Sequence, residues 1–157
     1  MKNAHFHYQQ GFSLVELLLV MSVAAILFGF TSLSLLNTQH RTTISAAVES
    51  LIADMRSQQL KAMAGKAISG TGDSYGIHFD GTSTYTLYHG TYAAGNPDNV
   101  TVTPDEAITF SANPTNITFS QITGEIGGND TITAQYSSGS ETKTISINKY
   151  GVVTRVN

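Results

Sequence analysis

The sequence contains no cysteine, which excludes both a disulfide framework and a thiolate metal site. Its three prolines all follow Asn96, so nothing in the first half of the chain forces a helix to kink. Charged residues make up only 12% of the 157 residues, against roughly 25% in an ordinary globular protein. The formal net charge is −3, which gives no overall attraction to nucleic acid.

The N-terminal part contains a long apolar segment. No Asp, Glu, Lys or Arg occurs in the 24 residues from Leu17 to His40. As a helix these residues would extend roughly 36 Å, more than the roughly 30 Å hydrocarbon core of a bilayer. The polar head before it, MKNAHFHYQQG, has one Lys and no acid, as in a signal peptide or signal anchor. No small-x-small cleavage site follows the segment, which favours a signal anchor.

One acid, Glu16, interrupts the start of this apolar region, in QQGFSLVELLLV. A charged side chain at the centre of a bilayer costs roughly 2.5–3.5 kcal/mol on insertion scales. A buried carboxylate is tolerable when it is paired with a positive charge and strongly unfavourable when it is alone. We therefore expect the Glu16 carboxylate to have a specific partner.

The motif G-F-S-L-V-E, followed by an unbroken apolar run, resembles the class III signal of type IV pilins and type II secretion pseudopilins. The resemblance implies that a membrane prepilin peptidase cuts after Gly11 and that the new N-terminal residue, Phe12, is N-methylated. It also implies that Glu16 is the assembly acid, paired with the α-amine of a neighbouring subunit. An intrachain pair remains open as well, because Phe12 and Glu16 are separated by four residues.

The same resemblance implies an organisation and a location for the chain. It divides the sequence into a leader peptide (1–11), a transmembrane assembly helix (12–36), an amphipathic helical continuation (37–68) and a β-rich extracytoplasmic domain (69–157). The N-terminus is expected in the cytoplasm, the helix in the inner membrane, and the domain in the periplasm or outside the cell. The implied partners are the prepilin peptidase and methylase, other pilin or pseudopilin subunits, the assembly platform protein and the lipid bilayer. A structural subunit with no enzymatic activity and no cofactor is expected.

Hydrophobic periodicity predicts that the helix continues beyond the apolar segment. Apolar residues follow i, i+3, i+4 spacing until the Gly-rich stretch ISGTGDS. They are Ile44, Val48, Leu51, Ile52, Met55, Met63 and Ala67. The pattern predicts one helix from Phe12 to about Ala67, whose amphipathic half packs on the protein's own sheet.

The remainder of the chain predicts strands. The stretch SYGIHFDGTSTYTLYH predicts a hairpin with its turn at residues 80–83, which pairs Phe79 with Tyr85 and Ile77 with Leu87. Further predicted strands are Val100–Thr103, Ala107–Ser111, Ile117–Gln121, Thr131–Tyr136, Lys143–Asn148 and Val152–Val156. The prolines fall between these strands, as expected for a residue that cannot donate to a ladder. The predicted fold class is α+β: a long helix, membrane-spanning in its first half, packed on a C-terminal antiparallel sheet domain of pilin-like type.

Finer resemblances concern the C-terminal part. The stretches YGIHF…YTLY, ITFSQITGEI and KTISINKYGVV are similar to the pseudopilin H and minor-pilin T/U group. The helix also resembles that group's Arg-x-x-Ala element, with Arg56 present and Gln59 in place of the Ala. Major type IV pilins usually have a proline in the N-terminal helix and a C-terminal disulfide loop. Both features are missing, which favours a minor pilin or a pseudopilin.

Other chemistry finds little support in the sequence. His78 and His89 are expected on opposite faces of the hairpin, and the acids of the turns lack the alternating pattern of a calcium loop. No serine lies in a nucleophile elbow, so neither a catalytic nor a metal site is predicted. Some minor pilins of the T/U type bind DNA during uptake, which makes a DNA receptor the alternative function, with Lys149 and Arg155 as candidate contacts. After Gly70, however, three basic residues stand against eight acidic ones, and this net charge of −5 opposes phosphate binding.

Overall fold

The structure, a computed structural model, describes residues 12–66, 73–105, 107–138 and 141–157. For residues 30–40 it describes the helical backbone and not the side chains. The predicted leader, which includes the cleavage residue Gly11, lies outside the described residues, as does Ala67 at the predicted helix end. The chain divides into two compact units, Met1–Gln39 and His40–Asn157.

One long helix, α1, covers Leu14–Met63. It begins two residues after the predicted start at Phe12 and ends about one turn before the predicted end. Within the described residues, no helix combines the length and the apolar character needed to cross a membrane.

Gly65 ends the helix. It adopts a φ of 60°, its N–H bonds the carbonyl of Ala62 at 3.1 Å, and the N–H of Lys66 bonds the carbonyl of Lys61 at 3.1 Å. This pair of bonds is the Schellman arrangement, in which a left-handed glycine lets the chain satisfy the last carbonyls of a helix. The prediction that the helix continues to the later Gly-rich stretch was therefore wrong.

The C-terminal part of α1 buries one stripe of its surface. The buried residues are Ile44, Ala47, Val48, Leu51, Met55, Gln58 and Ala62. Most of them follow alternating steps of three and four, which keeps them on one face of a helix. The predicted member Met63 is instead 48% exposed, because the step of four after Gln58 selects Ala62.

Gln58 is a polar residue within this buried stripe, and the apolar pattern did not predict it. Its side-chain nitrogen donates to the carbonyls of Gly76, at 3.0 Å, and Tyr88, at 3.3 Å. Its side-chain oxygen accepts from Lys61 Nζ at 3.0 Å. Because these bonds satisfy the buried amide, the polar side chain replaces a hydrophobic one and ties the helix to two strands.

In the described residues, eight strands follow the helix, at the positions that the sequence alternation predicted. They are β1 (Tyr75–Phe79), β2 (Tyr85–His89), β3 (Val100–Val102), β4 (Ile108–Asn113), β5 (Asn116–Phe119), β6 (Asp130–Tyr136), β7 (Thr142–Ile147) and β8 (Val153–Val156). Their ends differ from the predicted ones by at most two residues.

The strands form two antiparallel sheets of four strands, with the orders β3-β2-β1-β5 and β4-β6-β7-β8. The predicted hairpin is confirmed: Ile77 pairs with Leu87 and Phe79 pairs with Tyr85. The sequence pattern predicted one antiparallel sheet domain and did not predict that its strands divide into two sheets. The chain changes sheet between β4 and β5, at Pro114, which has no N–H with which to continue a ladder.

Within the unit His40–Asn157, the helix stripe and the inward faces of both sheets form one hydrophobic core. Its largest fully buried side chains are Tyr85, Phe79, Phe110 and Phe119. Besides the Gln58 bonds, polar contacts link the helix to each sheet: the Tyr85 hydroxyl donates to Asp54 Oδ2 at 2.7 Å, and Lys143 Nζ donates to Ser45 Oγ at 2.9 Å. The predicted α+β fold, a helix packed on an antiparallel β domain, is confirmed.

Candidate processing and assembly site

Ser13 caps the start of α1, next to the predicted processing site. Its hydroxyl oxygen accepts the N–H of Glu16 at 3.2 Å, and its carbonyl accepts the N–H of Leu17 at 3.2 Å. The S-x-x-E spacing is that of a capping box, a signal that would have identified Ser13 from the sequence. Glu16 thus lies in the first turn, where the helix dipole favours a negative charge by about 0.3–1 kcal/mol.

The Glu16 side chain is exposed, and it has no hydrogen bond or ion pair with any other described residue. It stands at the end of an apolar surface: every side chain from residue 12 to residue 29 is exposed, with Phe12 at 83% and Leu14 at 76%. Contiguous apolar surface on this scale marks a site of contact with lipid or protein. The arrangement places one carboxylate at the N-terminal end of an apolar contact surface.

Phe12 precedes the helix, because Ser13 is the cap and Leu14 is the first helical residue. The helical i, i+4 geometry therefore does not extend from Glu16 back to Phe12 in this structure. Gly11 lies outside the described residues. The choice between an intrachain amine and a neighbour's amine as the partner of Glu16 stays a prediction.

Gln59, the residue that departs from the Arg-x-x-Ala element, joins the end of α1 to two turns. Its side-chain nitrogen donates to the carbonyls of Gly124, at 3.0 Å, and Tyr150, at 2.8 Å. Ile122 approaches the same end of the helix, and its N–H bonds the carbonyl of Ala62 at 3.0 Å. An alanine at position 59 could make neither side-chain bond, so Gln59 has a structural role here.

The two candidate DNA contacts lie on the β7–β8 hairpin. Lys149 is exposed in the turn, with Nζ 4.8 Å from the centre of the Tyr150 ring. Arg155 is exposed in β8, pairs with Ser146 in the ladder, and donates from Nε to Asn157 Oδ1 at 2.8 Å. The two cations share a hairpin, and DNA binding by them stays a prediction.

The two strand histidines lie on opposite faces of the hairpin, as predicted. His78 pairs with Thr86 in the ladder, whereas His89 pairs with Tyr75. Positions 75 and 78 are an odd number of residues apart in β1, so the two pairs project to opposite faces of the sheet. His89 Nδ1 lies 3.5 Å from Asp73 Oδ2, and Nε2 lies 3.5 Å from Asp98 Oδ2. Among the described residues, no group of three or more His, Asp or Glu side chains is arranged to hold a metal ion.

Comparison with known proteins finds a match at the N-terminus. Residues 6–32 match the family model described as the prokaryotic N-terminal methylation motif. No curated protein and no solved structure gave a significant match.

The matched segment contains the Ser13 cap, Glu16 and the start of the exposed apolar helix. It supports a type IV pilin-like subunit that is processed by prepilin peptidase and assembles with other pilin subunits. The motif belongs to structural rather than enzymatic proteins, and it is consistent with membrane anchoring of a filament subunit.

Proposed function

We propose that the protein is a minor subunit, either a minor pilin or a pseudopilin, of a type IV pilus-like or type II secretion filament. In this function, prepilin peptidase cuts after Gly11 on the cytoplasmic side, and Phe12 becomes the methylated N-terminus. The apolar helix, residues 12–36, holds the subunit in the inner membrane until the assembly platform transfers it to the filament. The domain that follows faces the periplasm or the exterior.

The observation that carries this proposal is the methylation motif at the start of a helix with an exposed apolar surface and a Glu16 side chain that has no partner among the described residues. A carboxylate on such a surface needs a positive partner once lipid or protein covers the helix. Cleavage after Gly11 creates an α-amine at the same end of the chain. The lack of cysteine, and of proline before residue 97, supports a minor subunit over a major one.

Intact-mass measurement of the protein extracted from membranes tests the processing step. The expected mass is that of residues 12–157 with one added methyl group. A Gly11→Leu variant is expected to keep the mass of the full chain, because the peptidase reads the residue before the cut. Recovery of the wild-type chain at its full, unmethylated mass contradicts the proposal and indicates a plain membrane-anchored domain.

Incorporation into filaments tests the assembly role of Glu16. Glu16→Ala leaves the new amine without its partner, and breaking a buried ion pair costs roughly 3–5 kcal/mol. This corresponds to a loss of roughly a hundredfold or more in the equilibrium for incorporation. The matched control is Glu49→Ala, which removes an exposed acid from the later part of the same helix. Processing is expected to be intact in both variants, and filament yield reduced only in the first; equal yields reject the role.

The alternative function is a DNA receptor for uptake. One observation favours it: Lys149 lies over the exposed ring of Tyr150, and a cation beside an exposed ring is a surface on which single-stranded bases stack. The acidic character of the domain opposes it. A mobility-shift assay in which binding falls with salt and is lost in a Lys149→Ala, Arg155→Ala double variant would support this alternative.

A further inference from the structure

A groove lies beside the edge strand β5. It has a volume of about 440 Å³, within the range of roughly 300–1,000 Å³ that is common for ligand pockets. Its lining residues are Pro114, Asn116, Thr118, Gly127, Gly128 and Asp130. Four of the six come from two short segments, 116–118 and 127–128, that are separate in sequence and meet only in the fold.

Asp130, the first residue of β6, is the unusual member of this lining. It is only 8% exposed, yet no hydrogen bond or ion pair to its carboxylate occurs in the described part of the chain. Burial raises its pKa, with no neighbouring charge or donor to counteract the effect. A partly desolvated carboxylate without donors is less stable as an anion than one in water, and a ligand that supplies hydrogen-bond donors would offset that cost.

Two other side chains that line the groove, Asn116 and Thr118, are held in fixed orientations. The oxygen of Asn116 lies 2.6 Å from His78 Nδ1, and His78 is itself stacked on Tyr92 with ring centres 3.8 Å apart. With its oxygen engaged, the Asn116 amide offers its N–H groups as donors. The Thr118 hydroxyl is likewise held by the Tyr88 hydroxyl at 2.5 Å. Preorganised polar groups of this kind lose little entropy when a ligand binds.

The floor of the groove is open backbone. A Cβ added to Gly127 or Gly128 would meet nothing within 4 Å, so a ligand can approach the main chain there. Pro114 adds an apolar ring to the lining. The groove therefore combines one carboxylate acceptor, amide donors, a hydroxyl, accessible backbone and a small apolar face.

This set of groups selects a polyhydroxylated ligand. Adjacent hydroxyls of a sugar can donate to a carboxylate while they accept from an amide N–H. An anionic ligand would be repelled by Asp130 and by the net charge of −5 after Gly70. A calcium ion needs six to eight oxygen ligands, and the groove offers a single carboxylate. A neutral sugar supplies hydroxyl donors to the Asp130 carboxylate without either difficulty.

We propose that this groove is a binding site for a neutral saccharide, in which Asp130 accepts hydrogen bonds from adjacent hydroxyls and Asn116 donates to them. The apolar face of the sugar ring lies toward Pro114. None of the residues that line the groove belongs to the predicted processing motif.

Saturation-transfer NMR on the full chain tests the proposal directly. The protein is kept in a zwitterionic detergent without a sugar headgroup, because a maltoside would compete for the groove. Maltose, lactose, cellobiose and diacetylchitobiose are added separately, each up to roughly 10 mM, the range of weak binding. We expect a saturable signal from at least one of them. No signal from any of the four overturns the proposal.

Three variants assign the signal to the groove. Asp130→Asn removes the carboxylate and is expected to weaken binding at least tenfold. Gly128→Val narrows the groove while its Cβ enters open space, so it should fold normally and also weaken binding at least tenfold. Asp98→Asn, the same change at an exposed acid outside the groove, should leave binding unchanged.

Thermal unfolding of each variant checks that it is folded. If Asp130→Asn does not fold, Gly128→Val still tests the proposal. Binding that is unchanged in Gly128→Val overturns the proposal, because the sugar would then lie elsewhere. The Asp130 resonances provide a second test. If they shift on addition of calcium or of lysine methyl ester but not on addition of any sugar, the proposal is overturned and the groove is assigned to a cation.

Discussion

Substitution of Gly76 by alanine should strongly destabilise the domain, although it adds a single methyl group. Gly76 lies in β1 between Tyr88 of β2 and Thr118 of β5. The Tyr88 side chain crosses over Gly76, and its hydroxyl reaches the Thr118 hydroxyl at 2.5 Å. A Cβ at position 76 would lie 2.5 Å from the Cζ and hydroxyl oxygen of Tyr88 and 2.7 Å from the carbonyl oxygen of Ile117.

The cost follows from these contacts. The Ile117 oxygen belongs to the backbone of a paired strand, and overpacking of this kind typically costs about 1–3 kcal/mol. Tyr88 is 3% exposed, and its displacement loses about 2 kcal/mol of ring burial. The sum is roughly 3–5 kcal/mol, a large part of the 5–15 kcal/mol typical of a domain. At roughly 4 °C per kcal/mol, the unfolding midpoint should fall by about 12–20 °C.

Thermal and urea unfolding, followed by near-ultraviolet circular dichroism, measure this effect. The matched control is Gly127→Ala, whose Cβ meets nothing within 4 Å and whose effect should stay within about 0.5 kcal/mol. In a double-mutant cycle, Tyr88→Ala should relieve the strain of Gly76→Ala, with a coupling of at least about 1 kcal/mol. Equal midpoints for the two glycine variants, or strict additivity in the cycle, would refute the reasoning.

Three further predictions concern single side chains. Gln59→Ala removes two bonds to turn carbonyls and should destabilise by about 1–2 kcal/mol; faster hydrogen exchange at the Ile122 amide reports the loosened turn, and an unchanged rate contradicts the role. Ile122→Gly should stabilise by about 1 kcal/mol, because Ile122 is 70% exposed and holds a φ of 71° that a β-branched residue rarely adopts; a lower urea midpoint would count against this strain. Burial, together with the adjacent Asp54, raises the pKa of Tyr85 above its ordinary value of 10.0. The neutral Tyr85 therefore makes its full contribution to the free energy of unfolding below about pH 10, and this contribution is lost as the pH rises further. Tyr85→Phe should make urea midpoints fall less steeply between about pH 9 and 12, and an unchanged slope would contradict this account.

The hairpin is the part of the fold that the sequence specified most completely. Alternation on both arms and the turn at residues 80–83 leave one register that places Ile77 and Leu87 on the same face. A shift of one residue would move every apolar side chain of an arm to the opposite face, so the pattern excludes it. Local information was sufficient there.

The helix end and the division into two sheets are specified less directly. Gly65 is a readable stop signal, but it stands before a richer glycine stretch that suggests a later end. The change of sheet at Pro114 depends on which partner each neighbouring strand finds, and those partners, Gly76 for Thr118 and Ala134 for Phe110, are distant in sequence. Alternation predicts strands and not their partners.

The candidate sites differ in the same way. The processing motif is a continuous stretch of six residues, so the order of residues alone is enough to identify it, and the Ser13 cap is part of the same stretch. The bonds of Gln59 and the groove beside β5 bring together segments that are far apart in the chain. Asp130 in particular resembles the other turn acids in its sequence context, and its burial becomes visible only when β6 is placed in the sheet.

The crossing of Tyr88 over Gly76 also sets a rule for how related sequences can diverge. A side chain at position 76 and a large ring at position 88 exclude one another, and the ring without a hydroxyl partner at position 118 leaves a buried phenol unsatisfied. These three positions should therefore change as a group: a relative with alanine or serine at 76 should carry a small residue at 88 and be free of any requirement at 118. A set of homologues in which the three columns vary independently would mean that this sheet can be packed in more than one way.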